Sequence, residues 1–239
     1  MHSEEGPSRH FTARASRAID QRALTQFGIP GMVLMENAAR SVAKEILSMD
    51  PMQQLDSNAL IVCGPGNNGG DGWALARWLD AAGVTPRLCP LAEPDPGTDA
   101  GRYRSIARKI GFEEISLARC RKQPLPTVIV DAILGTGLTR PIDGTFSQAV
   151  GWINSARCPV VSIDCPSGID VDSGRILGSA VRADMTVSFL GWKPGFLLSP
   201  GATCCGEVRI GEIGVPSVLL EEFGTDKPGG GGDEHHRTG

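Results

Sequence analysis

Asn58-Ala-Leu-Ile-Val-Cys-Gly-Pro-Gly-Asn-Asn-Gly-Gly-Asp-Gly72 sets a short apolar run directly against a glycine-rich loop. A run of this length bounded by glycine reads as a buried strand. After the loop, Leu75, Trp78, Leu79 and Ala82 recur at i, i+3, i+4 and i+7, the apolar stripe of an amphipathic helix. Strand, glycine loop and helix together make one β–α unit, and the rest of the chain repeats that alternation.

Upstream, a helical pattern runs from about Arg14 to Met49, broken by Gly28-Ile-Pro-Gly31 into two helices. Met32, Met35, Ala39, Val42, Ala43 and Ile46 give the second of these an apolar face. Downstream, strands are expected at 86–89, 127–131, 160–164, 185–189 and 207–210, with helices over 99–110 and about 145–154. Strands separated by helices favour right-handed crossovers and a parallel sheet. The expected fold is therefore α/β, a three-layer αβα Rossmann-like sandwich with a largely parallel central sheet. The last two strands have no clear helix between them, which points to a mixed edge. Residues 1–12 read as a flexible leader, 13–224 as one domain, and the glycine-rich 225–239 as a flexible tail.

Composition narrows the functions. Of 239 residues, 41% are apolar and 21% charged, as in ordinary globular proteins. Aromatic content is 5% and net charge −4, so neither a stacking surface nor a basic footprint for nucleic acid is present. There is no run approaching the ~20 apolar residues of a membrane span, and no basic-then-apolar secretion signal at the N-terminus. Seven cysteines form no C-x-x-C pair and read as reduced thiols of a cytoplasmic protein. The adjacent Cys204 and Cys205 carry no assigned role.

In an open α/β sheet, ligands bind at the carboxyl ends of the strands. Three unusual loops leave such ends. The first, Gly64–Gly72, holds five glycines that permit positive φ or close backbone approach. Its free amides and the helix that follows favour an anion such as phosphate, and Asn67, Asn68 and Asp71 add polar side chains. It lacks the lysine of a phosphate-binding Walker loop and misses the dinucleotide glycine spacing. The alternative is an ordinary tight connection, but two asparagines and an aspartate are more than a turn requires. The second, Asp131–Pro141, follows an aspartate at the end of an apolar strand. That carboxylate must be paired, hydrogen-bonded or ion-bound, unless it only caps the next segment. Arg140 is placed to meet a phosphate. The third, Asp164-Cys-Pro-Ser-Gly-Ile-Asp170, again starts from a strand-end aspartate and presents Ser167. His2, His10, His235 and His236 all fall in the expected flexible ends, leaving no base for a Ser-His-Asp hydrolase. The site is thus rich in oxygens, suited to hard cations rather than to zinc. The residues alone support an enzyme-like α/β domain that binds a phosphorylated small molecule.

These loops, in this order, resemble the NAD(P)H-hydrate epimerase family, also called the YjeF N-terminal domain family. The resemblance is carried by Leu34-Met-Glu-Asn-Ala-Ala39, Cys63–Gly72, Val130-Asp-Ala-Ile-Leu-Gly-Thr-Gly137 and Asp164–Asp170. It continues through Gly191-Trp-Lys-Pro-Gly195 and Gly206–Gly214, and spans roughly residues 14–216. It implies an isomerase that interconverts the R and S forms of hydrated NADH and NADPH for cofactor repair. By position it assigns Asn67, Asn68, Gly69, Gly70, Asp71, Gly135, Thr136, Gly137, Leu138, Thr139, Arg140, Pro141 and Asp164 to substrate binding. It assigns Asn68, Asp131 and Ser167 to one potassium ion per subunit. Asp164 is the candidate acid/base, with Lys193 assisting unless it is a solvated surface lysine. The resemblance further implies a homodimer. Too few residues follow Pro216 to fold a second enzyme, so the expected functional partner is a separate S-specific NAD(P)H-hydrate dehydratase. The rival reading is a non-catalytic nucleotide-ligand-binding or scaffold module of the same fold.

Overall fold

The computed structural model describes residues 9–54 and 56–226. Seven strands, β1 (Asn58–Cys63), β2 (Thr85–Pro90), β3 (Glu113–Glu114), β4 (Val128–Ala132), β5 (Val160–Ile163), β6 (Met185–Phe189) and β7 (Glu207–Gly211), form one sheet of order β3-β2-β1-β4-β5-β6-β7. Every pairing is parallel. Among the described residues seven helices accompany it: α1 (Ala13–Phe27), α2 (Gly31–Leu47), α3 (Asn67–Ala81), α4 (Asp99–Ile110), α5 (Leu117–Cys120), α6 (Gly144–Ser155) and α7 (Ser217–Phe223).

The pleat sorts the strand residues between two cores, because successive side chains face opposite sides. Ile61, Cys63, Val128 and Val130 join the core packed by α2, α3 and α4. Leu60, Val62 and Ile129 join a second core with α5 and α6. Helices on both faces make the expected three-layer sandwich. Every residue of β4 and β5 is buried, the signature of strands covered on both sides.

The mixed edge expected at the end of the sheet is corrected: β7 runs parallel to β6, with Met185 opposite Glu207 and Phe189 opposite Gly211. Short 3-10 turns at Pro194–Leu197 and Gly201–Cys204 make the crossover in place of an α-helix. A crossover needs a dozen or so residues, not a helix as such.

The expected leader and tail also shorten where the structure describes them. His10 N–H donates to Thr225 O at 2.8 Å, Thr225 N–H returns a bond to His10 O at 3.1 Å, and Phe11 N–H reaches Trp192 O. Phe11 is fully buried with Ile19, Ala23, Leu34 and Leu219. One aromatic side chain worth burying draws this strip onto the domain. His10 is buried too, rather than free in a leader. Residues 1–8 and 227–239, with His2, His235 and His236, lie outside the described residues.

Chain order reverses between β1 and β4: from β1 the chain builds outward to β3, then returns to β4 and builds the other way. A crevice opens at such a switch point beyond the strands' carboxyl ends. Among the described residues, no helix is long and apolar enough to cross a membrane. All seven cysteines are free.

Candidate functional site

The crevice at the switch point is a cleft of about 640 Å³, within the range of small-molecule sites. All three loops picked out from sequence reach it. Asn67, Asn68 and Asp71 line it from the first, Gly135, Thr136, Gly137, Leu138, Thr139 and Arg140 from the second, and Asp164 from the third. Pro141 is exposed and stands outside the lining.

The first loop differs from its expected form. Asn67 already begins α3, so most of the glycine loop is helix. None of its five glycines has a positive φ. Gly64 and Gly69 are glycine because backbone passes where a side chain would sit, and Gly70 and Gly72 because the Met35 and Ala132 side chains do; a Cβ on Gly66 would meet nothing within 4 Å. A Cβ on Gly64 would lie 1.8 Å from Ile133 O, and one on Gly69 would lie 1.9 Å from Gly64 O. These contacts press the turns after β1 and β4 together and let α3 rise straight from the strand. Gly69 and Gly70 are thus buried packing positions behind the cleft wall, not part of its lining. The helix expected to be amphipathic is instead buried over Asn68–Ala76 and again at Leu79. The first helical amide bond is Gly70 N–H to Gly66 O. The amides before it are left for a ligand, as at any helix start. Gly66 provides no side-chain cap there.

Asp131 is fully buried at the end of β4. Its Oδ1 accepts from Ile133 N–H at 3.2 Å and the Ser167 hydroxyl at 2.6 Å; its Oδ2 accepts from Ser162 Oγ and Ser167 N–H, both at 2.8 Å. The helix-cap alternative therefore falls. Burial raises its pKa, and the four hydrogen bonds pull the other way. Ser162 stands in register opposite Asp131 on the neighbouring strand, a contact that sequence alone did not offer. Ser167 Oγ also accepts from Leu134 N–H at 2.9 Å, with Leu134 O at 3.1 Å.

Asn68, 7% exposed, keeps a buried amide nitrogen with no partner. A buried polar atom left unpaired is costly and marks a place where something else binds. The orphaned nitrogen is an N–H donor and calls for an acceptor, while the Asn68 amide oxygen, the Asp131 carboxylate, the Ser167 hydroxyl and the Leu134 carbonyl are hard oxygen donors with one negative charge among them. That oxygen set fits a weakly charged cation such as potassium. Among the described residues no group of three or more His, Cys, Asp or Glu side chains forms a metal-binding set.

Asp164 terminates β5 in the left-handed region, at φ 62°, a conformation aspartate tolerates better than most residues. Its Oδ1 accepts from Phe189 N–H at 3.3 Å and lies 3.4 Å from Lys193 Nζ. Lys193 is 1% exposed and donates to Phe189 O at 2.7 Å, so the surface-lysine alternative is corrected. It does not line the cleft: it sits behind Asp164 as the counter-charge.

Sequence reasoning missed Asp20. One face of α1, Ser16, Ile19 and Ala23, is buried in the domain, while Arg17, Asp20 and Leu24 line the cleft. Asp20 is recessed in the concave wall yet reachable by solvent. Desolvation, then the Asp164 charge, with Lys193 opposing, raises its pKa to about 6. Asp71 is raised well above its ordinary value by burial, Asp164 and Asp20, in that order. No sequence pattern singled out Asp20, since an acid on a helix face is ordinary. Leu34, Met35 and Ala38 of α2 complete an apolar wall.

The sequence matches the family described as YjeF-related protein N-terminus over residues 31–195. The NAD(P)H-hydrate epimerase of Pirellula staleyi is 40% identical over 223 residues, 90% of this chain and 96% of that protein. The bifunctional NAD(P)H-hydrate repair enzyme Nnr of Thermofilum pendens is 39% identical over 86% of this chain and 40% of its own length. The crystal structure of yeast ynu0 shares the fold, with a TM-score of 0.78 at 24% identity over 94% of this chain and 97% of that one.

Proposed function

The chain belongs to the YjeF-related protein N-terminus family, and from that premise we propose that it is an NAD(P)H-hydrate epimerase, an isomerase acting on hydrated NADH and NADPH. One observation carries the reading. The unpartnered Asn68 amide, the Asp71 and Asp164 carboxyls and the start of α3 all face one cleft at the sheet's switch point. That is a phosphate-accepting helix end beside an acidic pocket, as a hydrated dinucleotide requires.

The hydrate is a hemiaminal, with its hydroxyl on the carbon next to the ring nitrogen. Inversion breaks that C–O bond with help from the nitrogen lone pair, leaving an iminium cation to which water returns on the other face. Asp164 serves as an acid/base group in the exchange of water and as the negative charge beside the cation. Lys193 positions that carboxylate from behind, through its 3.4 Å approach. Asn67, Asn68, Asp71 and the 135–140 segment hold the substrate. Asn68, Asp131 and Ser167 would hold one potassium ion per subunit. When bound, the ion supplies a fixed positive charge that draws the turns after β1, β4 and β5 together.

The protein is read as a cytoplasmic homodimer. Leu24, Phe27 and Val33, exposed on α1 and α2, form the apolar surface that a second copy would cover. Its product feeds a separate S-specific dehydratase.

The test is a coupled assay: mixed hydrates, a purified S-specific dehydratase and this protein, in potassium, sodium or lithium. Full recovery of reduced cofactor, faster than spontaneous epimerisation and fastest in potassium, is expected. An unchanged slow phase would make the protein a ligand-binding module; equal rates in the three salts would remove the ion.

A further inference from the structure

We propose that Asp20 is a second catalytic proton-transfer group, working with Asp164 from a different wall of the cleft; this rests on the epimerase reading. Inversion at one carbon needs a proton donor where hydroxide leaves and a proton acceptor where water arrives. Those events take place on opposite faces of the ring, so one carboxyl is poorly placed for both. Of the four aspartates that line the cleft, Asp99 pairs with Arg102 and Asp71 is buried in the first turns of α3, which leaves Asp164 at the end of β5 and Asp20 on α1.

The placement of α1 is fixed. Its first turn is pinned by Thr12 Oγ, which accepts from Ala15 N–H at 3.1 Å, and by Asp172 Oδ1, which accepts from Ala13 N–H at 2.7 Å. Its inner face packs on Phe11 and Leu219. Asp172 belongs to the segment that follows β5, so the element carrying Asp20 is tied to the loop carrying Asp164. The Asp20 carboxyl accepts no hydrogen bond from the described residues and has no structural duty of its own.

Its electrical surroundings suit the task. Asp164 faces it with negative charge, Asp71 adjoins it with a carboxyl that burial pushes toward the neutral form, Lys193 lies behind Asp164, and Arg17 stands one turn earlier on the same helix. Burial and Asp164 hold Asp20 near 6, so close to neutral pH it both keeps and gives up a proton readily. A carboxyl on each of two walls lets one group give a proton on one face of the ring while the other takes one on the opposite face.

In the R-to-S direction, the Asp20 acid gives its proton to the hydroxyl. The C–O electron pair leaves with the oxygen as water, and the nitrogen lone pair forms the C=N bond. A second water adds to the other face and passes a proton to the Asp164 carboxylate. One water departs and one enters, and the carboxyls have exchanged a proton that solvent returns. In the reverse direction the two roles swap.

The experiment compares wild type, Asp20→Asn and Asp20→Glu in the coupled assay with purified R-hydrate, from pH 5 to pH 9. For Asp20→Asn, kcat should fall about 10²- to 10⁴-fold with KM nearly unchanged. The wild-type inflection near pH 6 should disappear, and Asp20→Glu should restore part of the rate. A melting curve like that of wild type shows that the variant folds. Direct titration of the Asp20 carboxyl by carbon NMR in wild type gives a second reading that needs no variant, and a midpoint near 4 would overturn the proposal. So would an Asp20→Asn enzyme with wild-type kcat, or a loss confined to KM with the pH profile intact. If wild type itself is no faster than buffer, the epimerase reading fails, and the proposal with it; if only the variant comparison fails, the epimerase reading stands.

Discussion

The floor of the cleft and its rim are made of similar residues and differ in what those residues have left to bind. On the floor, Asp131 accepts four hydrogen bonds, and Gly69 lies against the carbonyl of Gly64 with no room for a methyl group. The groups there hold one part of the protein to another, and an ion bound among them would do the same. On the rim, among the described residues, Asp20 and Asp71 have no hydrogen-bonded partner and both feel the Asp164 charge, the Asn68 amide nitrogen has no partner either, and a Cβ on Gly137 would meet nothing within 4 Å. The same residue type one strand apart, Asp131 on β4 and Asp164 on β5, is therefore structural in one place and chemical in the other. Substituting the floor should damage folding, and substituting the rim should damage turnover.

The widest separation is expected at Asp164. Asp164→Asn keeps the shape and removes the charge, so turnover of R-hydrate in the coupled assay should fall about 10²- to 10⁴-fold. Some stability should go as well, because the buried Lys193 ammonium loses its counter-charge, but the loss of turnover should far exceed what that unfolding accounts for. A variant that melts several degrees lower while turning over normally would put Asp164 on the floor. Gly69→Ala is the converse case. By helix propensity alone, alanine should be better than glycine by about 1 kcal/mol. Here the new methyl meets backbone that cannot rotate away, so we expect a loss of about 3 kcal/mol, the upper range for overpacking, read by urea denaturation. A stabilised variant would mean that the first turn of α3 does not press on the Gly64 carbonyl.

Much of this division was legible in the sequence. The Asn58–Cys63 strand and the Asp99–Ile110 helix fall where periodicity put them, and the strand-end loops meet in one cleft because parallel sheets bring their carboxyl ends to one edge. The reason for the glycines was not legible. Sequence records that a Cβ is absent, while Ile133 O, the atom that forbids it, is set by the pairing of β1 with β4. Nor was the parallel β7, since 3-10 turns carry no 3.6-residue periodicity. Asp20 was missed because its neighbours in space come from the far ends of other strands. Lys193 is as polar as any surface lysine; only the fold encloses it.

A middling effect is expected at Asp131. Asp131→Asn places an NH₂ group where one carboxylate oxygen now accepts two donors, including either Ser167 N–H or Ile133 N–H. Neither backbone amide can turn away, and a buried donor without an acceptor costs about 1–3 kcal/mol. For a chain of this size that is a fall in melting temperature of roughly 2–4 °C per kcal/mol. Potassium should raise the melting temperature of wild type more than that of the variant. A variant as stable as wild type would mean that the floor tolerates an amide, and the contrast with Asp164 would then be one of degree.

The smallest effect is the most selective test of the rim. Asp20 titrates near 6 in the folded protein against an ordinary 3.8. Between those values the unfolded chain has released a proton that the folded chain still holds, so this group's contribution to stability is complete below about pH 4. It is lost as pH rises through about 6, and ionised Asp20 weighs against the fold above that. Asparagine cannot ionise. The melting temperature of Asp20→Asn relative to wild type should therefore be nearly level below pH 4, climb between pH 4 and pH 6.5, and flatten beyond. The side chain is open to solvent and its charge is screened by salt, so the climb should shrink in high salt. A difference that stays flat from pH 4 to pH 7 would mean that Asp20 and Asp164 do not sense each other, and the rim would be an assembly of independent acids. A climb that salt leaves untouched would instead trace the shift to burial alone, with Asp20 seated as deep in the protein as the floor.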